Sequence, residues 1–227
     1  MAWQDNFAML ENTRSRPDLF LLLSLLLIIL LYPVLDHGDV RRAILGGLMF
    51  VPILLATVRL SQIRGWVWPT GVLMAAALVF SVANTVFPNP IVDGMKWATM
   101  ALFFGLTVVG LFSYLKNARI IQTEHLYTAI SIYLLLGFQW FALYSAIDVF
   151  YPGSIVHNGA MATDRQSELL YFSLVTLSTI GYGDIVPVHG EVRMLAALEG
   201  ITGVLYVAIT VAVLVSAYKQ QNRLDQQ

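Results

Sequence analysis

Long apolar stretches alternate with short polar breaks through the first 150 residues. Five stretches approach the roughly 20 residues that a helix needs to cross the hydrocarbon core of a bilayer. They lie at about 18–35, 41–58, 66–87, 95–115 and 125–150. The second contains Pro52, which a membrane helix tolerates when neighbouring groups satisfy the freed carbonyl. The pattern predicts five membrane-spanning helices.

After residue 150 the pattern changes. Residues 151–166 are polar and predict a solvent-exposed loop, in which Thr163 or Asp164 could cap a following helix. The next apolar run, 167–178, has only about twelve residues and is too short to span a bilayer. A polar segment and a final long apolar stretch, 191–218, follow. This arrangement predicts a short helix that enters and leaves the membrane on one side, and then a sixth spanning helix.

Composition agrees with a membrane protein. Hydrophobic residues make up 58% of the 227 residues and charged residues only 12%, about half the share of a soluble domain. The net charge of −1 gives no reason to expect a nucleic-acid partner, and the absence of cysteine excludes disulfides. Eight Lys and Arg residues fall on one side of the predicted membrane and five on the other. This bias predicts a multi-pass protein of the cell membrane with both termini in the cytoplasm.

The hexapeptide Thr-Ile-Gly-Tyr-Gly-Asp directly follows the short helix. A strand whose carbonyls all point one way needs alternating backbone handedness, which glycine adopts without steric cost. The hexapeptide resembles the selectivity-filter signature of tetrameric potassium channels, and the resemblance extends over about residues 125–218. It implies that K⁺ is the permeant ion and that oxygen atoms of the filter bind it. The filter residues so implied are Thr179, Ile180, Gly181, Tyr182 and Gly183.

The resemblance also implies an assembly. One filter strand cannot surround an ion, so we expect four copies of the chain to form a closed homotetramer within the lipid bilayer. The predicted fold is an all-α membrane protein with six transmembrane helices, and with a re-entrant pore helix and filter loop between helices 5 and 6. The predicted units are a cytoplasmic segment 1–17, a sensor-like four-helix domain 18–119, a pore domain 120–218 and a cytoplasmic tail 219–227.

The filter support departs from the family pattern. Many members place two tryptophans in the pore helix, where this chain has Tyr171 and Phe172, and some have a glutamate where it has Val175. Thr176 lies at the expected end of the pore helix. Tyr171 could still donate a hydrogen bond to Asp184. These departures predict a filter that is less strongly braced and prone to collapse when potassium is low.

The last helix contains the predicted gate. Gly203 lies nineteen residues after Asp184, where the family usually has its inner-helix hinge. Below it, four valines at helical spacing could form a hydrophobic ring that closes by dewetting. The alternative is ordinary packing against the fifth segment. The valines are Val204, Val207, Val211 and Val215.

Glu199 lies one turn above Gly203 and is an ionisable residue at membrane depth, which makes it a functional candidate. A structural role, in which it hydrogen-bonds behind the filter, is the favoured alternative.

The fourth segment lacks the charges of a voltage sensor. Residues 95–115 contain only Lys96 as a basic residue, and no acidic residue lies mid-membrane in the first three segments. Because each gating charge is worth about 2.3 kcal/mol per 100 mV, steep voltage gating is not expected. His157 and His189 on the outer face could tune a response to pH, although isolated surface histidines usually have no such role.

Three alternatives to a potassium channel are a non-selective cation channel, the membrane subunit of a potassium-uptake transporter and a non-conducting scaffold. The intact Tyr182 and Asp184 argue against the first, and the single complete filter motif argues against the second. The sequence shows no nucleophile–base pair, metal cluster or phosphate loop, so we expect neither an enzyme nor a cofactor.

Overall fold

The computed structural model describes residues 16–35, 47–61, 66–116, 123–157 and 165–224. Within these ranges the chain is almost entirely helical. Residues 1–15 of the predicted cytoplasmic N-terminal segment and the candidate capping residues Thr163 and Asp164 lie outside the described residues. The helices are α1 (Arg16–Leu35), α2 (Phe50–Ser61), α3 (Val67–Val86), α4 (Pro90–Lys116), α5 (Thr123–Phe150), α6 (Arg165–Leu177) and α7 (Gly190–Leu224).

Four of the described helices, α3, α4, α5 and α7, are long and apolar enough to cross a membrane. The apolar part of α1, Pro17–Tyr32, and the 12-residue α2 are shorter. Of the predicted second segment, 41–58, residues 41–46 lie outside the described residues, and the described helix continues beyond 58 to Ser61. α7 also continues to Leu224, six residues beyond the predicted end, into the segment that we expected to be a tail.

Helix α5 forms the centre of the protomer and packs against α1, α4, α6 and α7 of the same chain. Its largest interface is with α4, where the rings of Phe104 and Phe138 lie 5.9 Å apart. Phe141 contacts Trp97 edge-on at 5.2 Å and Tyr32 of α1 at 5.7 Å. Such aromatic pairs add to the packing energy beyond the area that they bury. Helices α1 and α4 therefore pack directly on the α5 of their own chain, whereas α2 packs on α1, α3 and α4, and α3 packs mainly on α4.

A buried ion pair joins the start of α1 to the end of α2. Arg59 at the end of α2 donates from Nε to Asp18 of α1 at 2.6 Å, and both side chains are less than a tenth exposed. The guanidinium of Arg59 also lies over the ring of Tyr114 on α4, 4.3 Å from its centre. Moving one of these helices away would leave a buried charge without its partner, which is costly. The cluster therefore fixes α1, α2 and α4 relative to one another.

The predicted loop 151–166 and the polar segment after the filter contain a small antiparallel sheet. Strand β1 (Ile155–His157) pairs with β2 (Ile185–Pro187), with Val156 opposite Val186. Both strands are rich in β-branched residues, which favour a pleated backbone. The all-α prediction missed them because strands so far apart in sequence, with a helix between them, give no hairpin signal. The sheet therefore connects the segment after residue 184 to the segment before α6 through backbone hydrogen bonds.

Candidate functional site: the pore helix and filter loop

Helix α6 is the predicted short pore helix, observed at Arg165–Leu177 rather than 167–178. Its 13 residues span about 20 Å, well short of a hydrocarbon core of about 30 Å. Arg165 at its first turn pairs with Asp148 at the end of α5, with Nε 2.6 Å from the carboxylate, and donates to the carbonyl of Ile155 in β1. These contacts fix the outer end of α6 to α5 and the small sheet.

The inner end of α6 turns directly into the filter. The backbone N–H of Ile180 donates to the Val175 carbonyl and that of Thr179 to the Thr176 carbonyl, each at 3.0 Å. This is the Schellman pattern, which requires a left-handed residue immediately after the helix. Thr179 takes that position, with φ of 59°. Sequence analysis missed this, because a β-branched residue rarely adopts positive φ.

Gly181 and Gly183 have the positive φ values that the sequence predicts, 56° and 81°. Apart from the adjoining residues, no atom of the described protomer lies within 4 Å of the place where a Cβ would sit on either glycine, so within the protomer backbone conformation and not space requires glycine there. The side chains of Ile180 and Tyr182 are 55% and 70% exposed in the protomer. One ring contact joins these side chains to the pore helix, in which Tyr182 stacks parallel on Tyr171 with ring centres 6.5 Å apart.

Tyr171 and Asp184 meet at the outer end of the loop, as predicted. The Tyr171 hydroxyl lies 3.0 Å from Oδ2 of Asp184. Desolvation opposes ionisation of this carboxyl, but hydrogen bonds from the Tyr171 hydroxyl and the Ile185 backbone N–H outweigh it and hold the pKa of Asp184 below its usual value. Asp184 is therefore a carboxylate at neutral pH.

The other predicted support residues act differently. Phe172 packs edge-on against Tyr144 of α5, with ring centres 5.1 Å apart. Val175 and Thr176 support the loop through their carbonyl oxygens, not their side chains. A cavity of about 270 Å³ lies between α6 and the filter, lined in part by Phe172, Val175 and Tyr182.

Helix α7 touches its own protomer along one narrow seam, formed by Val192, Glu199, Gly203, Tyr206 and Thr210. At Gly203 the helix passes so close to the end of α6 that a Cβ would lie 1.9 Å from the Leu177 carbonyl oxygen. The Tyr206 hydroxyl donates to the Ala129 carbonyl of α5 at 2.6 Å. The helix runs without interruption through Gly203, so close packing accounts for this glycine independently of a hinge.

Glu199 is completely buried behind the filter and contacts two helices. Its Oε2 accepts a hydrogen bond from the Tyr144 hydroxyl of α5 at 2.8 Å, and its Oε1 lies 2.6 Å from Oγ of Ser173 on α6. The contacts are those expected of the structural alternative. Sequence analysis did not identify Tyr144 and Ser173, since neither belongs to a motif and both lie far from Glu199 in sequence.

The four valines of the predicted gate, Val204, Val207, Val211 and Val215, are each about half exposed. Val207 and Val211 line an apolar groove of about 400 Å³ between α5 and α7, together with Leu126 and Ile130. Val204 and Val215 do not line it. The stripe therefore divides into two residues that line this groove and two that do not.

The two histidines on the predicted outer face differ. His157 is not isolated, because its Nδ1 lies 3.0 Å from Oε1 of Glu168 on α6. His189 is exposed just before α7. Within the described ranges, no group of three or more His, Cys, Asp or Glu side chains could hold a metal ion.

Comparison with known proteins agrees with this arrangement. Residues 128–220 match a protein-family model described as an ion channel, a region that contains most of α5, all of α6, the filter loop and most of α7. The chain is 40% identical over 53 residues to a Rhodopseudomonas palustris protein provisionally named a potassium channel protein, covering 23% of this chain and 13% of that protein. It is 39% identical over 75 residues to two pore potassium channel b of Oryza sativa, covering 33% and 19%.

A third relative is an A-type voltage-gated potassium channel of Rattus norvegicus, 30% identical over 97 residues, covering 40% of this chain and 15% of the relative. The chain thus spans less than a fifth of the length of each of these relatives. No solved structure matches the chain. Residues in the second half of the chain are thus similar to ion channels, and to potassium channels in particular.

Proposed function

We propose that the chain is one subunit of a homotetrameric, potassium-selective channel in the cell membrane, with both termini in the cytoplasm. The observation that carries the proposal is the non-helical segment 179–184, whose residues are mostly exposed in the protomer. Such backbone is tolerated at membrane depth only where protein buries it or water lines it. Because each chain has one filter loop, four copies around a common axis would supply both the cover and the pore.

In this assembly, the filter oxygens replace the hydration shell of K⁺. The Thr179 hydroxyl and the carbonyls of Thr179, Ile180, Gly181 and Tyr182 would coordinate the ion, with Gly183 at the outer mouth. The two positive-φ glycines permit successive carbonyls to face the same side. The C-terminal end of α6, which carries partial negative charge, would favour a cation at the inner end of the filter.

Steep voltage gating is not part of the proposal. Helix α4 has two basic residues, Lys96 near its outer end and Lys116 at its last position. Lys96 is held 2.5 Å from Asp93 and 4.4 Å above the Trp97 ring. Neither lysine lies in a ladder of charges that could move through the membrane field.

The test is a planar-bilayer recording of purified protein with K⁺ on one side and Na⁺ on the other. We expect a reversal potential near the potassium equilibrium value and loss of current in Gly181→Ala, since alanine is strained at this φ. Gly71→Ala in α3 is the matched control, because it adds the same methyl group to a helical glycine with open space around it. A reversal near zero would favour the non-selective alternative, and absence of current in every condition would favour the scaffold.

The gate is tested with Val211→Ser and Val215→Ser. If the valines close the pore by dewetting, both changes should raise the open probability. If the stripe only packs, Val211→Ser should lower thermal stability, because Val211 lines the groove against α5, and Val215→Ser should have little effect. Equal stability and unchanged opening in both variants would contradict both interpretations.

A further inference from the structure

The Ser173 hydroxyl lies between two oxygen atoms. Its Oγ is 2.8 Å from the Gly137 carbonyl oxygen of α5 and 2.6 Å from Oε1 of Glu199 on α7. A serine hydroxyl has a single proton, and a backbone carbonyl has none to give. If Glu199 were a carboxylate, one of these two short contacts would join two oxygens with no proton between them.

The environment of Glu199 also disfavours a charge. The side chain is fully buried, and its position nine residues into α7 places it about 14 Å along the helix. Among the described residues, no Lys, Arg or His side chain forms an ion pair with it. An ionised carboxylate without a cation is costly in such a place, and burial of this kind usually leaves the group neutral.

A protonated Glu199 satisfies every contact. Tyr144 donates to Oε2, the carboxylic acid donates to Oγ of Ser173, and Ser173 donates to the Gly137 carbonyl. The chain of three hydrogen bonds joins α5, α6 and α7. Ser173 lies two residues before Val175, whose carbonyl accepts the hydrogen bond that forms the turn into the filter. The acid thus links the inner helix to the end of the pore helix.

We propose that Glu199 is held as a neutral carboxylic acid and positions the pore helix against α5 and α7. The inference rests on the proposed channel function. Glu199 is a positioning residue, since it does not face the ion path. The described titratable groups around it are the phenols of Tyr144 and Tyr133 on α5, while α6 presents only the Ser173 hydroxyl. Alkaline conditions should remove the Glu199 proton, break its contact with Ser173 and reduce conduction.

The variant Glu199→Gln tests this directly. A glutamine amide can accept from Tyr144 and donate to Ser173, but it cannot lose a proton. We expect the wild-type current to fall several-fold from neutral to alkaline pH and the Glu199→Gln current to stay near its neutral value. Glu191→Gln is the matched control, since it makes the same change at an exposed position on the same helix and should retain the wild-type pH profile.

Infrared spectroscopy gives a readout that needs no current. The wild-type protein at neutral pH should show the carbonyl stretch of a protonated carboxylic acid that is absent from Glu199→Gln. If Glu199→Gln does not assemble, the band should shift to higher wavenumber in Ser173→Ala, because the acid loses its acceptor. A carboxylate band alone, or an alkaline decline shared by Glu199→Gln, would overturn the inference. Failure to conduct K⁺ selectively would instead overturn the proposed function and leave the infrared result unaffected.

Discussion

Replacing Gly203 with alanine should displace the end of the pore helix. The added Cβ would lie 1.9 Å from the Leu177 carbonyl oxygen and 3.0 Å from its carbonyl carbon. The two backbones would have to separate by roughly 1 Å, because the obstacle is main chain and no change of rotamer removes it. Leu177 ends α6 two residues before Thr179, so the displacement would reach the inner end of the filter.

The matched control is Gly200→Ala, one turn earlier on the same helix. There the new Cβ would lie 3.6 Å from the Thr176 carbonyl oxygen, an ordinary contact. Both variants gain about 1 kcal/mol of helix propensity, so this gain cancels in the comparison. Forced overpacking usually costs about 1–3 kcal/mol, which is the stability difference that we expect between the variants for each subunit.

The assay is thermal unfolding of the purified protein in detergent, followed by single-channel conductance. Gly203→Ala should unfold at a lower temperature than Gly200→Ala and conduct less. If Gly203 serves only as a hinge, the two variants should have the same stability and differ only in open probability. Equal stability together with equal conductance and equal open probability would refute both the packing argument and the hinge.

Two further predictions concern the filter brace and the buried ion pair. Tyr171→Phe removes the hydroxyl that contacts Asp184, and currents should decline several-fold faster at low external potassium. Because the pKa of Asp184 is lowered, the hydrogen bond between Tyr171 and Asp184 in the wild-type protein should persist as the outer pH falls to about 5. It should weaken only below the ordinary carboxyl range near 4. A decline of the wild-type current between about pH 7 and 5 that is absent from Tyr171→Phe would contradict this. Arg59→Met leaves Asp18 buried without its partner and should cost about 3–5 kcal/mol of stability, whereas the double variant with Asp18→Leu should regain most of it. Arg193→Met, at an exposed site, is the control for Arg59→Met. If the two variants lowered the unfolding temperature equally, the result would be inconsistent with a buried pair.

The sequence alone predicted the elements that depend on local composition. Apolar stretches of sufficient length gave the positions of α3, α4, α5 and α7, since the bilayer sets a minimum length for a spanning helix. Gly181 and Gly183 could be assigned to positive φ because no other residue adopts it so easily. The shortness of the run before the filter predicted a helix that does not span the membrane.

Only the tertiary structure decided the contacts between distant parts of the chain. Thr179 takes a left-handed conformation because the carbonyls of α6 cap the turn, and β1 pairs with β2 across an intervening helix. Glu199 is explained by Ser173 and Tyr144, which lie 26 and 55 residues away. Hydrogen bonds and steric contacts act over a few ångströms, so their partners are known only once the helices have packed. Composition and periodicity predict the helices, but they do not identify which residues will be in contact after packing.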